Sequence, residues 1–334
     1  MKILLAQPGK LNTVPMGGFV LNALKKLGHE VVDFDLSSGR LDKLSDKFVI
    51  RPDEFHGRLN RRFRSVVEET NPDLMLTIFG FDLSEISLSF LKKKGIPRVC
   101  WWLNDPFQFK RSLSKADRYD FVFTNAKESV ENYRNAGINH AHWLPTACDP
   151  DVHRRVPFVS TYQSDICFAG DWSPLREEWC TELAKHFDVK VFGPWKKKLR
   201  RTSPLWGRVV DGFFTPAEMA GMFSSAKIVF NLHSWYGKWD CGTNPRLFEV
   251  AGCGACQVVD WKEDIPGLFE IGRDLAVYHT RPELVGLIHD LLNDPVARRT
   301  MGENSQRHAY EYHTYEARMR TLIERVCSRR MPSG

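Results

Sequence analysis

Short apolar runs alternate with amphipathic stretches along this chain. In the first half, strands are predicted over residues 2–6, 30–34, 74–79, 98–103 and 121–124. Helical spacing of apolar residues lies between them, for example over 17–27 and 84–94, and these two stretches end at Gly28 and Gly95. Strand, helix and strand repeated in this order predict a mostly parallel sheet with crossover helices.

The alternation breaks near residues 145–160, where several prolines interrupt it, and we place a linker there. It then restarts, with strands predicted over 165–169, 189–192, 228–232, 256–260 and 275–278. We therefore expect two α/β domains, over residues 1–155 and 156–312, followed by a C-terminal helical segment over 313–334. Ligands of such sheets bind at the carboxyl ends of the strands, here most naturally in a cleft between the domains.

Composition narrows the class of protein. Hydrophobic residues make up 43% of the chain and charged residues 26%, which are globular values. No apolar run reaches the roughly 18 residues of a membrane span, and the first residues read as a strand rather than a signal peptide. Eight scattered cysteines without a secretion signal favour a reduced compartment. We expect a cytoplasmic protein, with peripheral membrane association and oligomeric state left open.

Positive charge is concentrated in the first half. Residues 1–155 carry 24 Lys and Arg against 19 Asp and Glu, whereas residues 156–334 carry 23 against 22. Arg58, Arg61 and Arg62 share a predicted helical face, which indicates either an anionic partner (nucleic acid, acidic glycan or anionic membrane) or a solvated surface. The basic run 196–201 follows a predicted strand and is read as an exposed loop. Both interpretations stay open.

The run 244–259 carries the strongest signal for a ligand site. Arg246 and Glu249 stand three residues apart, so a helix places both on one face. A small-residue turn over 252–255 and an apolar strand follow at once. A charged helix start that leads into a glycine turn and a buried strand is typical of α/β ligand sites. A surface ion pair between Arg246 and Glu249 is the alternative.

Ordered sequence pieces extend this signal over residues 165–325. They are the runs 228–233, 244–255, 268–278, 282–284 and 313–319. In order and spacing these runs resemble the CgeB-like glycosyltransferases, which are relatives of the family 4 retaining glycosyltransferases. In the first half of the chain, only the run 101–106 resembles that family. The resemblance implies an α/β GT-B fold: two Rossmann-like domains with parallel sheets facing an interdomain cleft. The first domain would bind the acceptor and the second a nucleotide-sugar donor, with the last helix packing back on the first domain.

The resemblance also implies roles for single residues. Glu249 would accept hydrogen bonds from the donor ribose, because an ionised carboxylate pairs well with a diol. The backbone amides of Gly242, Thr243 and Asn244, with the Arg246 guanidinium, would bind the diphosphate. The family's first motif glutamate falls at Cys241, which leaves the donor sugar open. Further residues expected at the donor site are Gly170, Arg176 as a cation, Phe213 or Phe214 at the nucleobase, and His233.

Catalysis depends on the stereochemical course. An inverting enzyme needs a base in the first domain, for which Asp105 and Asp82 are the candidates. A retaining enzyme needs no such base, and the resemblance favours retention.

We expect no metal, since GT-B enzymes neutralise the diphosphate with helix ends and basic residues. Cys253 and Cys256 lack the second pair that a zinc site requires and are read as buried thiols. We expect no cofactor besides the donor co-substrate, a UDP-sugar.

The acceptor is the part of the reaction on which the sequence says least. A surface glycan, a protein glycan and a modified DNA base are all compatible with the pattern, the last because of the basic first half. The alternative function is a non-catalytic module of the same fold that binds a nucleotide-sugar or a glycan. The cysteine at position 241 is the feature that favours this alternative.

Overall fold

The computed structural model describes residues 1–8, 15–37, 57–80 and 83–328. These residues form two compact units. Unit 1 comprises the described residues up to Pro145 together with those from Tyr315 onward, and unit 2 comprises Thr146–Thr314.

Each unit is built on a parallel sheet. In chain order the described strands are β1 (Lys2–Gln7), β2 (Glu30–Asp35), β3 (Leu74–Ile78), β4 (Arg98–Trp102), β5 (Phe121–Thr124), β6 (Ala141–Trp143), β7 (Ser164–Ala169), β8 (Val189–Phe192), β9 (Val209–Val210), β10 (Ala226–Asn231), β11 (Gln257–Asp260) and β12 (Ala276–Tyr278). Within the described chain, their order is β2-β1-β3-β4-β5-β6 in unit 1 and β12-β11-β10-β7-β8-β9 in unit 2. Every residue of β3, β4 and β11 is buried, as expected for strands covered by helices on both faces.

Helices connect the strands and cover the sheets. In chain order the described helices are α1 (Met16–Lys26), α2 (Gly57–Thr70), α3 (Glu85–Lys93), α4 (Phe109–Ala116), α5 (Lys127–Asn135), α6 (Pro174–Leu183), α7 (Pro216–Ser225), α8 (Pro245–Gly252), α9 (Arg281–Asn293), α10 (Pro295–Tyr312) and α11 (Tyr315–Ser328). Several begin at a side-chain cap, as α6 does at Ser173 and α7 at Thr215. None of the described helices combines the length and the apolar character that crossing a bilayer requires.

The predicted α/β class with two parallel sheets is confirmed. The periodicity missed α4, which is polar on most of its surface, and the two-residue strand β9. Residues 141–143 form the edge strand β6.

The unit boundary lies ten residues before the predicted one at 155/156. Residues 146–155 belong to unit 2 because their polar groups bond there. The Cys148 amide donates to the His313 carbonyl at 2.9 Å, and Arg155 Nη2 donates to the Gly254 carbonyl at 2.5 Å. Residues 313 and 314 also belong to unit 2, so the segment that joins unit 1 begins at Tyr315.

The terminal helix α11 is part of the packing of unit 1. It lies against α1, where the rings of Phe19 and Tyr315 are 5.2 Å apart. Arg318 Nε donates to the Pro145 carbonyl at 3.0 Å, and Leu322 is wholly buried. A helix with an apolar stripe buried in this way contributes to the stability of the unit it covers.

We predict that Leu322→Ala lowers the free energy of unfolding by about 2–5 kcal/mol, because it removes buried methyl groups and leaves a cavity. Urea unfolding followed by tryptophan fluorescence measures the change. Arg320→Ala, on the exposed side of the same helix, is the matched control and stays close to the wild type. Equal losses in both variants would contradict the assignment of Leu322 to the core.

Candidate functional site

A cavity of about 120 Å³ lies at the carboxyl ends of β7 and β8 in unit 2. Gly170, Phe214 and Arg246, three of the predicted donor-site residues, line it together. This is the edge of a parallel sheet at which ligands bind. Whole-ligand pockets enclose roughly 300 Å³ or more, so this cavity has room for one part of a ligand.

Glycines keep the cavity walls close together. A Cβ atom on Gly193 would lie 2.2 Å from the Gly170 carbonyl oxygen, so only glycine fits at that position. The same carbonyl accepts a hydrogen bond from Trp195 Nε1 at 2.8 Å. Gly193 was missed from the sequence, although a glycine directly after a predicted strand was the signal that marked it.

Arg246 and Glu249 form a buried ion pair on α8. Arg246 Nη1 donates to Glu249 Oε2 at 2.7 Å, and the two side chains are 14% and 2% exposed. The guanidinium carbon also lies 5.2 Å from the centre of the Phe223 ring. The alternative of a surface ion pair is therefore wrong. A carboxylate buried to this degree is costly unless a cation faces it, which makes the pair sensitive to removal of either member.

A second guanidinium lies beside Gly170. Arg176 donates from Nη1 to the Asp171 carbonyl at 2.9 Å and from Nη2 to the Leu232 carbonyl at 3.3 Å. Its Nε has no hydrogen-bond partner among the described residues. Burial lowers the pKa of Arg176, and the nearby charge of Arg246 acts in the same direction. Two partly buried guanidinium groups near one cavity, with one donor unused among the described residues, favour an anionic ligand.

The start of α8 is held by a relay of buried hydrogen bonds. Asp260 Oδ1 faces His233 Nδ1 at 2.7 Å, and His233 Nε2 accepts from the Asn244 amide at 3.1 Å. His233 and Asp260 are wholly buried. Burial alone would raise the pKa of Asp260, but His233 and Lys262 outweigh it and hold that pKa below its ordinary value. The relay fixes the backbone from which Arg246 and Glu249 project.

The hydrogen bonds around the start of α8 correct three of the predicted contacts. The Asn244 amide is engaged by His233, and the Gly242 amide donates to Asp264 Oδ2 at 3.0 Å, so neither amide is directed at a diphosphate. His233 supports the loop rather than contacting a ligand. Thr243 is wholly buried as well. Sequence reasoning missed Asp260, although an acidic residue at the end of a predicted strand was a usable signal.

Known proteins resemble this chain in sequence and fold. A family model described as glycosyl transferase-like matches residues 175–324. The spore protein CgeB of Bacillus subtilis (strain 168) is 25% identical over 239 residues, which are 65% of this chain and 75% of CgeB. HepE from Anabaena, solved in complex with UDP, has a TM-score of 0.68 at 16% identity and covers 98% of this chain and 100% of its own. Sucrose-phosphate synthase from Thermosynechococcus elongatus has a TM-score of 0.69 at 13% identity, with the same coverage.

The chain is similar to the CgeB-like glycosyltransferases and has the GT-B fold. The resemblance inferred from the ordered sequence pieces is thereby confirmed. The cavity, the two arginines and the Arg246–Glu249 pair all belong to unit 2.

The candidate base Asp105 lies in an enclosed environment. Its carboxylate is wholly buried and accepts hydrogen bonds from Thr124 at 2.8 Å, Ser112 at 3.1 Å and Tyr133 at 3.1 Å. Burial raises its pKa to about 6, although these hydrogen bonds act in the opposite direction. The geometry does not support contact with an acceptor hydroxyl, since the carboxylate is enclosed and occupied. The other candidate, Asp82, lies outside the described residues.

The two cysteines of the glycine turn are buried in unit 2. Burial raises the pKa of the Cys256 thiol to about 12 and that of Cys253 above its ordinary range, so both stay protonated at neutral pH. Metal ligation requires the thiolate. Among the residues that the structure describes, no group of three or more His, Cys, Asp or Glu side chains is placed to hold a metal ion.

Asp105 gives a prediction for stability against pH. Its pKa is about 6 in the folded protein and about 3.9 when unfolded, so folding favours the protonated form. The stabilisation is complete below about pH 4 and is lost as the pH rises through about 6, a change of about 3 kcal/mol. The asparagine side chain of the Asp105→Asn variant does not titrate in this pH range. We expect the difference in unfolding free energy between wild type and variant to shift by that amount across this range, measured by urea unfolding at several pH values. A constant difference would contradict the burial of an ionisable carboxyl.

Proposed function

We propose that this glycosyltransferase moves a sugar from a UDP-sugar to an acceptor hydroxyl, with the donor bound by unit 2. The observation that carries the proposal is the cavity that brings Gly170, Phe214 and Arg246 together beside the buried Arg246–Glu249 pair. HepE, which has the same fold, has been solved with UDP and with UDP-glucose. A nucleoside diphosphate matches this site, because it combines a planar base with a dianionic group.

Each part of the donor has a candidate partner. The uracil base enters the 120 Å³ cavity beside Phe214, whose ring packs edge-on to Phe192 at 6.0 Å. The diphosphate lies against the guanidinium groups of Arg246 and Arg176, which replace the backbone amides in that role. Glu249 accepts hydrogen bonds from the ribose hydroxyls. Cations supplied by the protein make a bound metal unnecessary for neutralising the phosphates.

Unit 1 binds the acceptor in this proposal, and the reaction proceeds with retention at the sugar carbon. Retention is supported by the enclosure of Asp105, because a retaining enzyme needs no carboxylate base from the protein. A surface glycan, a protein glycan and a modified DNA base remain the candidate acceptors, each presenting a hydroxyl. Arg58 and Arg61 are exposed on α2, which keeps an anionic acceptor among them.

We predict that Arg246→Ala weakens UDP binding about 10- to 100-fold, because hydrogen bonds to charged groups are worth about 1.5–3 kcal/mol. Titration calorimetry with UDP measures the effect. Arg134→Ala is the matched control, since Arg134 also pairs with a glutamate three residues away but is exposed on α5, and it binds UDP as the wild type does.

A second variant protects this test from misfolding. Arg246→Ala leaves Glu249 buried without its cation, whereas Arg246→Lys keeps the charge and loses only the paired geometry of the guanidinium. We expect Arg246→Lys to fold and to bind UDP with intermediate affinity. Wild-type affinity in both variants, or absence of UDP binding by the wild type, would refute the donor site.

The second candidate function is a non-catalytic module that binds a nucleotide-sugar. The observation that favours it is Cys241, which is buried at the position where the resemblance places the family's first motif glutamate. We predict instead that the purified protein slowly hydrolyses a UDP-sugar, because donor-site chemistry proceeds with water when no acceptor is present. Release of UDP is measured with and without EDTA, and the rate is the same in both. Donor binding without hydrolysis would favour the module, and loss of activity in EDTA would contradict metal independence.

A further inference from the structure

The loop between β8 and β9 and the segment that follows it concentrate positive charge on unit 2. Residues 193–214 carry six Lys and Arg against one Asp, whereas the rest of residues 156–334 carries 17 against 21. We call the exposed part of this loop the basic platform. Its residues are Lys196, Lys197, Lys198, Arg200 and Arg201, with Trp206, Val210 and Phe213 beside them.

The basic platform is anchored in the core. Trp195 and Leu205 are wholly buried and Leu199 is 7% exposed, so the loop inserts three apolar side chains into unit 2. The Trp195 carbonyl accepts the amides of Lys198 and Leu199 at 2.8 and 3.0 Å. With these three side chains buried, the five cations of the platform are exposed on the surface of unit 2.

Within the described chain, the cations of the platform have no acidic partner. Among the described residues, no carboxylate lies within ion-pair distance of any of the five. Lys196 and Arg201 instead each lie 5.9 Å from the centre of the Trp206 ring. Clustered like charges repel one another and attract an anionic partner.

Apolar side chains border these cations. Phe213 is 72% exposed and Val210 36%. The Lys196 amide donates to Asp211 Oδ1 at 2.7 Å, and the Gly193 amide donates to the Val210 carbonyl at 3.2 Å, so the two segments are fastened side by side. The surface therefore offers charge and exposed apolar groups together.

We infer that the basic platform binds the surface of an anionic lipid bilayer. Clusters of four to eight Lys and Arg attract acidic headgroups, and an adjacent aromatic side chain enters the boundary between headgroups and acyl chains. A nucleic-acid backbone would satisfy the cations but offers no apolar surface to Val210. The inference goes beyond the proposed function and does not depend on it. Because Gly193 and Phe213 also line the cavity of unit 2, the bilayer would lie next to that cavity.

Vesicle sedimentation with the full chain tests the inference. One set of vesicles is phosphatidylcholine alone, and the other is equimolar phosphatidylcholine and phosphatidylglycerol. The wild type sediments with the anionic vesicles only, and less so at high salt. The triple variant Lys196→Gln, Lys197→Gln, Lys198→Gln reduces the partition coefficient about 100-fold, since each cation near the surface contributes about 1 kcal/mol.

A matched triple variant separates the platform from net charge. Lys92→Gln, Lys93→Gln, Lys94→Gln removes the same charge from an exposed run of unit 1 and keeps wild-type binding. Phe213→Ser weakens vesicle binding about tenfold through lost apolar burial. Equal losses in the two triple variants, or equal binding to both kinds of vesicle, would overturn the inference. So would binding to duplex DNA that depends on residues 196–198 while anionic vesicles are ignored.

Discussion

Glu249 is a carboxylate taken almost wholly out of water, and the guanidinium of Arg246 is the cation that faces it. A buried charge without a partner costs several kcal/mol, so the geometry that keeps these two groups 2.7 Å apart is a constraint on everything around them. That geometry comes from the first turn of α8. Its cap, Asn244, accepts the Leu247 amide and exchanges hydrogen bonds with Asn231 at the end of β10. The Asp260–His233 relay holds the Asn244 amide from the other side.

The same constraint orients the groups of the proposed diphosphate site. Arg246 borders the cavity while bound to Glu249, and Arg176 approaches from the β7 loop with one donor unused among the described residues. A diphosphate placed between them would meet groups that are already desolvated and oriented, so little ordering would remain to oppose binding. The hydrogen bonds of the Gly242 and Asn244 amides make the loop rigid instead of contacting a ligand.

Charge has different consequences in different parts of this molecule. Asp105 is enclosed by three hydroxyl donors, and its carboxylate organises the end of β4. The cations of the basic platform are exposed and face no carboxylate in the part of the chain that the structure describes. Residue type alone suggested a catalytic aspartate and an ordinary solvated loop. The structure shows that the Asp105 carboxylate is enclosed, whereas the platform cations are exposed. This difference matters because an ionisable group acts on a ligand only when its own surroundings leave it accessible.

The sequence by itself determined the two parallel sheets, because buried strands and crossover helices leave a periodicity that local residues encode. It also determined the pairing of Arg246 with Glu249, since helical spacing alone places them on one face. Tertiary structure decided how deeply that pair is buried, that His233 supports Asn244, and that Asp105 is enclosed. Each of these depends on groups from strands or helices distant in sequence: His233 and Asp260 are 27 residues apart, and Asp105 and Tyr133 are 28 apart. A local sequence pattern does not indicate contacts between residues that are so far apart in the chain. The environment of these groups is therefore defined only when the fold brings them together.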